Sequence, residues 1–137
     1  MFIDANVPMY AAGVLHPLKE PCLSIMAAIA RGALAATTDV EVLQEILHRY
    51  TALGQRARAV EVARLFLTVM RGVLPVTKED FILATEIHLR HSSIQARDAL
   101  HAAVMQQHGI KQIISADRHF DSIPEIARLD PSTWPGE

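Results

Sequence analysis

One cysteine, Cys22, is all the chain contains. No internal disulfide can form, and no neighbouring ligands join that thiol in a zinc site. No run approaches the roughly 20 apolar residues that span a bilayer, and the opening Met1-Phe2-Ile3-Asp4 lacks the charged and apolar regions of a secretory leader. These absences predict a reducing, cytoplasmic setting. Repeats, low-complexity tracts and linkers are missing as well, so a single domain over residues 1–137 is expected. That length suffices for one core and falls short of two ordinary ones. There is no basic excess: the formal net charge is −2, which argues against a protein that holds nucleic acid by non-specific phosphate contacts. It does not argue against a nuclease, whose acidic metal site masks a basic rim in the total.

What is present is a hydrophobic half and a charged fifth, arranged as short apolar runs alternating with longer helical patterns. Met1–Asp4 reads as a strand, followed by a polar turn at Asn6 and Pro8. Pro21–Arg31 reads as a helix ended by Gly32, and Ala33–Thr37 as a second strand. Thr38 and Glu41 have capping-box spacing, and Val42, Leu43, Ile46, Leu47 and Tyr50 then fall on one helical face up to Gly54. Arg56–Met70 is a helix apolar around most of its circumference: Val60, Val62, Leu65, Phe66, Leu67 and Val69 cannot share a stripe, so it is internal or faces a partner. Val73–Val76 is a strand that Pro75 confines to an edge or makes irregular. Thr77 caps a helix to about His91. Ser92 and Gln95 again have capping-box spacing before a helix ending near Gly109. Gln112–Ser115 and Ile126–Leu129 complete the strands. Strands separated by helices predict an α/β fold with a parallel sheet covered on both faces.

Ligands of such sheets bind beyond the carboxyl ends of the strands. Asp4 closes the first strand and Asp117 follows the Gln112–Ser115 strand, so both carboxylates enter one crevice if those strands are neighbours. Each also has a plain explanation as a turn or cap residue. Taken alone, Glu45 is better explained by a surface ion pair with Arg49, and Asp98 by the positive end of its helix, beside His101.

The combination carries more than its parts. Phe2-Ile3-Asp4-Ala5-Asn6-Val7, Leu43-Gln44-Glu45-Ile46-Leu47-His48-Arg49-Tyr50, Arg97-Asp98-Ala99-Leu100-His101-Ala102 and Ile114-Ser115-Ala116-Asp117-Arg118-His119-Phe120-Asp121 occur in this order. Together they resemble the four motif regions of PIN domains, most closely the VapC-type toxins of prokaryotic toxin–antitoxin pairs, from Met1 to about Asp130. The resemblance implies a three-layer α/β/α domain with a central, mostly parallel sheet. It also implies dependence on Mg²⁺ or Mn²⁺, endoribonuclease activity that inhibits translation, a homodimer, and a small VapB-like antitoxin laid across the groove. Carried over by position, Asp4, Glu45, Asp98 and Asp117 match the acidic, metal-holding quartet. Asn6 and Ser115 match polar positions that orient carboxylates or water. Asp121 is an auxiliary acid or, in the preferred reading, the cap of a short turn.

The chemistry suits these residues. Mg²⁺ and Mn²⁺ take oxygen ligands, and crowded carboxylates repel one another until a cation neutralises them. The seven histidines are scattered and lack the partners of a zinc site. His101, one turn after Asp98, is the exception and is a candidate auxiliary residue of the site. Arg97 and Arg118 adjoin two of the acids and are candidates for phosphate contacts. A haloacid-dehalogenase-like phosphatase is a rival, but it needs a second Asp where Asn6 stands, and Asn cannot transfer the proton. A PIN-like module that binds RNA or protein without cutting is the non-enzymatic alternative, which four retained acids disfavour.

Overall fold

Phe2 and Ile3 form β1, two residues with no exposed surface, at the centre of the protein. The computed structural model describes residues 1–135; Gly136 and Glu137, part of the expected domain, lie outside the described residues. Around β1 runs a five-stranded sheet, all parallel, in the order β3-β2-β1-β4-β5. Its other strands are β2 (Thr37–Asp39), β3 (Gly72–Leu74), β4 (Gln112–Ile114) and β5 (Ala127–Leu129). Among the described residues six α-helices surround it, giving the expected three layers: α1 (Asn6–Ala12), α2 (Lys19–Ala30), α3 (Val40–Ala52), α4 (Arg56–Val69), α5 (Lys78–Arg90) and α6 (Ala96–Gln107). A sheet covered on both faces needs apolar side chains on both, and Phe2, Ile3, Ile113 and Ile114 are all fully buried. No helix of the described residues is long and apolar enough to cross a membrane.

Several local expectations are corrected. Asn6 and Pro8 open helix α1 rather than a turn. Proline is tolerated there because N–H groups in a first turn have no intrahelical acceptor. The second strand is Thr37–Asp39, not Ala33–Thr37. Gly32 ends α2 at φ +78°, after which the N–H groups of Ala33 and Leu34 both bond back to Ala28 O. Those residues close the helix and cannot join a ladder, which starts with Thr37 N–H on Met1 O at 2.9 Å.

Helix α3 is capped by Asp39, whose Oδ1 accepts from Val42 N–H at 2.9 Å, and not by Thr38. Thr38 is buried in β2 and donates its hydroxyl to Ile3 O at 3.0 Å. Strand β3 stops at Leu74, ahead of Pro75, and lies at a sheet edge as the proline requires. Thr77 and Asp80 form a full capping box on α5. The Ser92–Gln95 box is absent: His91 to Ile94 makes a turn closed by Ile94 N–H on His91 O, and Gln95 occupies the cap without a side-chain bond.

The chain adds β2 and β3 on one side of β1 and β4 and β5 on the other. The order therefore reverses between β1 and β4, and the crevice beyond their carboxyl ends is where such sheets bind ligands.

Candidate active site

Asp4 stands one residue beyond β1 and Asp117 three beyond β4, on adjacent strands. Glu45 reaches the same place from the second turn of α3, and Asp98 from the first turn of α6. Asp4, Glu45 and Asp98 are only 3%, 6% and 8% exposed, while Asp117 is half-buried. Burial of carboxylates is costly, and the proton affinities of Asp98 and Glu45 register it. Burial raises Asp98 to about 7, helped by the charges of Asp4 and Asp117 and a side-chain hydrogen bond with Asp117. Burial and the charge of Asp4 likewise raise Glu45, against His101, Arg97 and Arg49.

Asp4 is held rigidly. Its Oδ1 accepts from Ala5 N–H at 2.7 Å, and its Oδ2 from Asn6 Nδ2 at 2.8 Å and from the Ser115 hydroxyl. Asn6 Nδ2 also donates to Ser115 Oγ at 3.0 Å, and Asn6 Oδ1 accepts from Ala116 N–H at 3.1 Å. Ser115 Oγ accepts in turn from Asp117 N–H at 3.0 Å. Asn6 and Ser115 thus stitch the loop after β1 to the loop after β4 and orient two acids at once. Asn6 acts here as a clamp on Asp4, which accounts for an amide where a phosphatase would need an acid.

Three residues sit differently from expectation. Arg97 is turned inward in an ion pair, its Nη1 3.2 Å from Glu45 Oε1 and its Nε 3.6 Å from Glu41. Arg49 also approaches Glu45, at 3.8 Å, but Glu45 is buried rather than part of a surface pair. Asp121 neither joins the acids nor caps a turn. It is exposed within the short 3₁₀ turn Arg118–Ser122, which Asp117 caps, and Arg128 grips it at 2.9 and 3.2 Å. Arg118 is exposed beside Asp117.

Sequence reasoning did not weigh Asp39. It is fully buried at the end of β2, and its Oδ2 lies 2.8 Å from Nδ1 of the equally buried His101. Burial pushes the imidazole down, yet Asp39, Asp4 and Glu45 together raise it to about 9. A readable signal existed: Asp39 directly precedes an apolar helical face and is as strong an N-cap type as any residue.

One ligand atom each from Asp4, Glu45 and His101 lies within 4.8 Å of the other two. Two carboxylates and an imidazole make a donor set that fits a divalent cation. A cavity of about 520 Å³ opens beside it, lined among others by Asn6, Tyr10, Arg49, Tyr50, Leu53 and Arg58.

Fold and site together define a small α/β protein with a buried acidic cluster, suited to a cation, at the switch point of its sheet. The chain belongs to the PIN domain family, whose profile matches residues 1–126. It is 40% identical over 129 residues to a VapC ribonuclease of Mycobacterium bovis and to ribonuclease VapC13 of Mycobacterium tuberculosis, covering 94% of this chain and 98% of each relative. Among solved structures, VapC20 of Mycobacterium tuberculosis, a sarcin–ricin loop cleaving toxin, has the same fold at a TM-score of 0.75. It is 23% identical and is matched over 90% of this chain and 94% of that one. FitAcB from Neisseria gonorrhoeae superposes at 0.74 with 15% identity, over 96% of this chain and 98% of that one.

Proposed function

We propose that this protein is a divalent-metal-dependent endoribonuclease, the toxin of a VapBC-type pair, acting as a single PIN domain in the cytoplasm. One observation carries the reading: Asp4, Glu45 and Asp98 are buried together at the sheet's switch point, with Asp98 pushed up to about 7 by burial and by the charges of Asp4 and Asp117. Such an arrangement is costly unless a cation is its purpose. Relatives at 40% identity are named ribonucleases, and a neighbour in structure is a VapBC2 complex from Rickettsia felis bound to promoter DNA. A small VapB-like antitoxin is accordingly the proposed partner.

Asp4, Glu45, Asp98 and Asp117 hold Mg²⁺ or Mn²⁺ in this reading. The bound cation supplies a water of lowered pKa and stabilises charge at phosphorus and on the leaving oxygen. The chain's own residues do the positioning. Ala5 N–H, Asn6 and Ser115 fix both oxygens of Asp4 and hold its carboxylate in one orientation. Asp117 is tied to the same hydroxyl through its N–H. Arg97 holds Glu45 in place and is committed to that task, leaving exposed Arg118 as the better phosphate contact. A homodimer face is assigned to α4, where Leu65 and Leu67 remain open.

The test is cleavage mapping on total RNA with Mg²⁺, Mn²⁺ and EDTA in parallel, for wild type and Asp4→Asn. Cleavage at discrete sites by wild type with either cation is expected, with loss in EDTA and at least a hundredfold fall in Asp4→Asn, in line with removal of a major charge-stabilising group. Identical, cation-independent behaviour of the two proteins would leave a binding module without catalysis.

A further inference from the structure

His101 lies wholly inside the protein, and its two ring nitrogens have different fates. Nδ1 is paired with Asp39 Oδ2 at 2.8 Å. The other oxygen of Asp39 is pinned by Val42 N–H, and the Phe2 ring packs beside the imidazole with centroids 5.6 Å apart. The ring is therefore locked by its neighbours. Nε2 is buried and has no hydrogen-bond partner, the one side-chain atom of the described residues in that condition. Buried polar atoms are nearly always satisfied, so an exception needs an explanation. His101 also belongs to the group whose ligand atoms, with those of Asp4 and Glu45, fall within 4.8 Å of one another. All three atoms therefore lie within reach of a single small cation.

We infer that His101 is a direct nitrogen ligand, through Nε2, of the cation held by Asp4 and Glu45, with Asp39 as the positioning residue behind it. The inference rests on the cation-dependent reading above and deepens it. A carboxylate on the far nitrogen of a ligating histidine fixes the tautomer with the free lone pair at Nε2 and raises its basicity. Asp39 performs both tasks while capping α3, which ties the ring's orientation to the start of the helix carrying Glu45. Nitrogen in the ligand set changes which cation the site prefers. Mg²⁺ is served by oxygen, whereas affinity for nitrogen rises along the divalent series from Mn²⁺ onward. The site accordingly favours Mn²⁺ over Mg²⁺, more than four carboxylates would.

Pulsed EPR of Mn²⁺ bound to wild-type protein, with natural and ¹⁵N-histidine labelling, reads the ligand directly. A coordinated imidazole nitrogen is expected, and its absence overturns the inference without recourse to any variant. Calorimetric titration supplies the second readout. His101→Asn keeps a donor for Asp39 and removes Nε2; it should erase the nitrogen signal and weaken Mn²⁺ binding 10- to 100-fold, with Mg²⁺ changed less than about threefold. Asp39→Asn presents an amide to Nδ1 and should weaken Mn²⁺ about tenfold. If His101→Asn strengthens or weakens both cations alike, the ring is a buried charge or a packing group and the proposal fails. Asp4→Asn separates the levels: loss of both cations upholds the acidic site whatever His101 does, and unchanged binding removes the acidic site itself.

Discussion

A carboxylate held near neutrality makes the metal-free protein sensitive to pH in a direction opposite to the usual acid. Asp98 is raised from 3.8 to about 7 by burial and by Asp4 and Asp117. Between those values the folded chain keeps a proton that the unfolded chain has released, so stability falls as pH rises. Glu45 shifts in the same direction. His101, raised from 6.5 to about 9, gives stability that is complete below 6.5 and lost as pH climbs through 9. All three slopes point the same way. Thermal melts in EDTA should show the midpoint dropping by several degrees from pH 5 to pH 9, with Asp98→Asn flattening the acidic part and raising the midpoint at pH 7. A saturating divalent cation should restore the lost stability by binding the folded form alone. A midpoint that is level across this range in EDTA would mean that the acids are not crowded. At this scale the sequence disclosed Asp4 and Asp117, because a strand end is a local feature. The Asp39–His101 pair was hidden because its partners are 62 positions apart and only packing brings them together.

Helix starts decide where the site's side chains stand, and they were the least legible feature. The apolar periodicity of α3 and the end signals of α5 and α6 located those helices, yet neither of the two capping boxes inferred from spacing forms, while Thr77, expected only as a cap, makes a full box. Spacing alone does not say whether a hydroxyl is free to cap. Thr38 is occupied in β2 by Ile3 O, and Ser92 sits in a turn before the helix, whereas Thr77 has no competing partner and caps α5 with Asp80. The same difference makes an expectation about stability. Thr77→Ala should cost about 1 kcal/mol, the usual worth of a hydroxyl cap, while Ser92→Ala, an exposed residue at the position where a box was expected, should change little. Denaturant unfolding of the two variants checks this, with RNA cleavage at permissive temperature equal to wild type for both, since neither residue touches the acids. Equal destabilisation by the two substitutions would return the cap of α6 to Ser92.

Across the whole molecule, the sheet order was readable only in outline. Alternation of strands and helices gave the parallel α/β class, but the neighbour relation of β1 and β4 depends on a chain reversal that no local pattern encodes. A cavity of about 520 Å³ lies among α1, α3 and α4 and adjoins the acids through Asn6, which bonds Asp4, and Arg49, which approaches Glu45. Its rim is oddly apolar for a surface that meets only RNA: Val14 is 85% and Leu53 68% exposed. Contiguous apolar side chains left open near a functional site mark a protein contact, and an antitoxin segment is the expected occupant. Leu53→Asp places a charge at that rim without touching the residues that hold the cation or Asp4. Its cleavage of a short RNA should match wild type, while the concentration of cognate antitoxin needed for half-inhibition should rise at least tenfold, the equivalent of about 1.4 kcal/mol. Leu65→Asp, on the α4 face assigned to the homodimer, should shift the sedimentation of the free protein towards monomer and leave that half-inhibition value unchanged. Should Leu53→Asp be neutralised like wild type while Leu65→Asp escapes, the antitoxin docks on α4 and the cavity is left to the RNA.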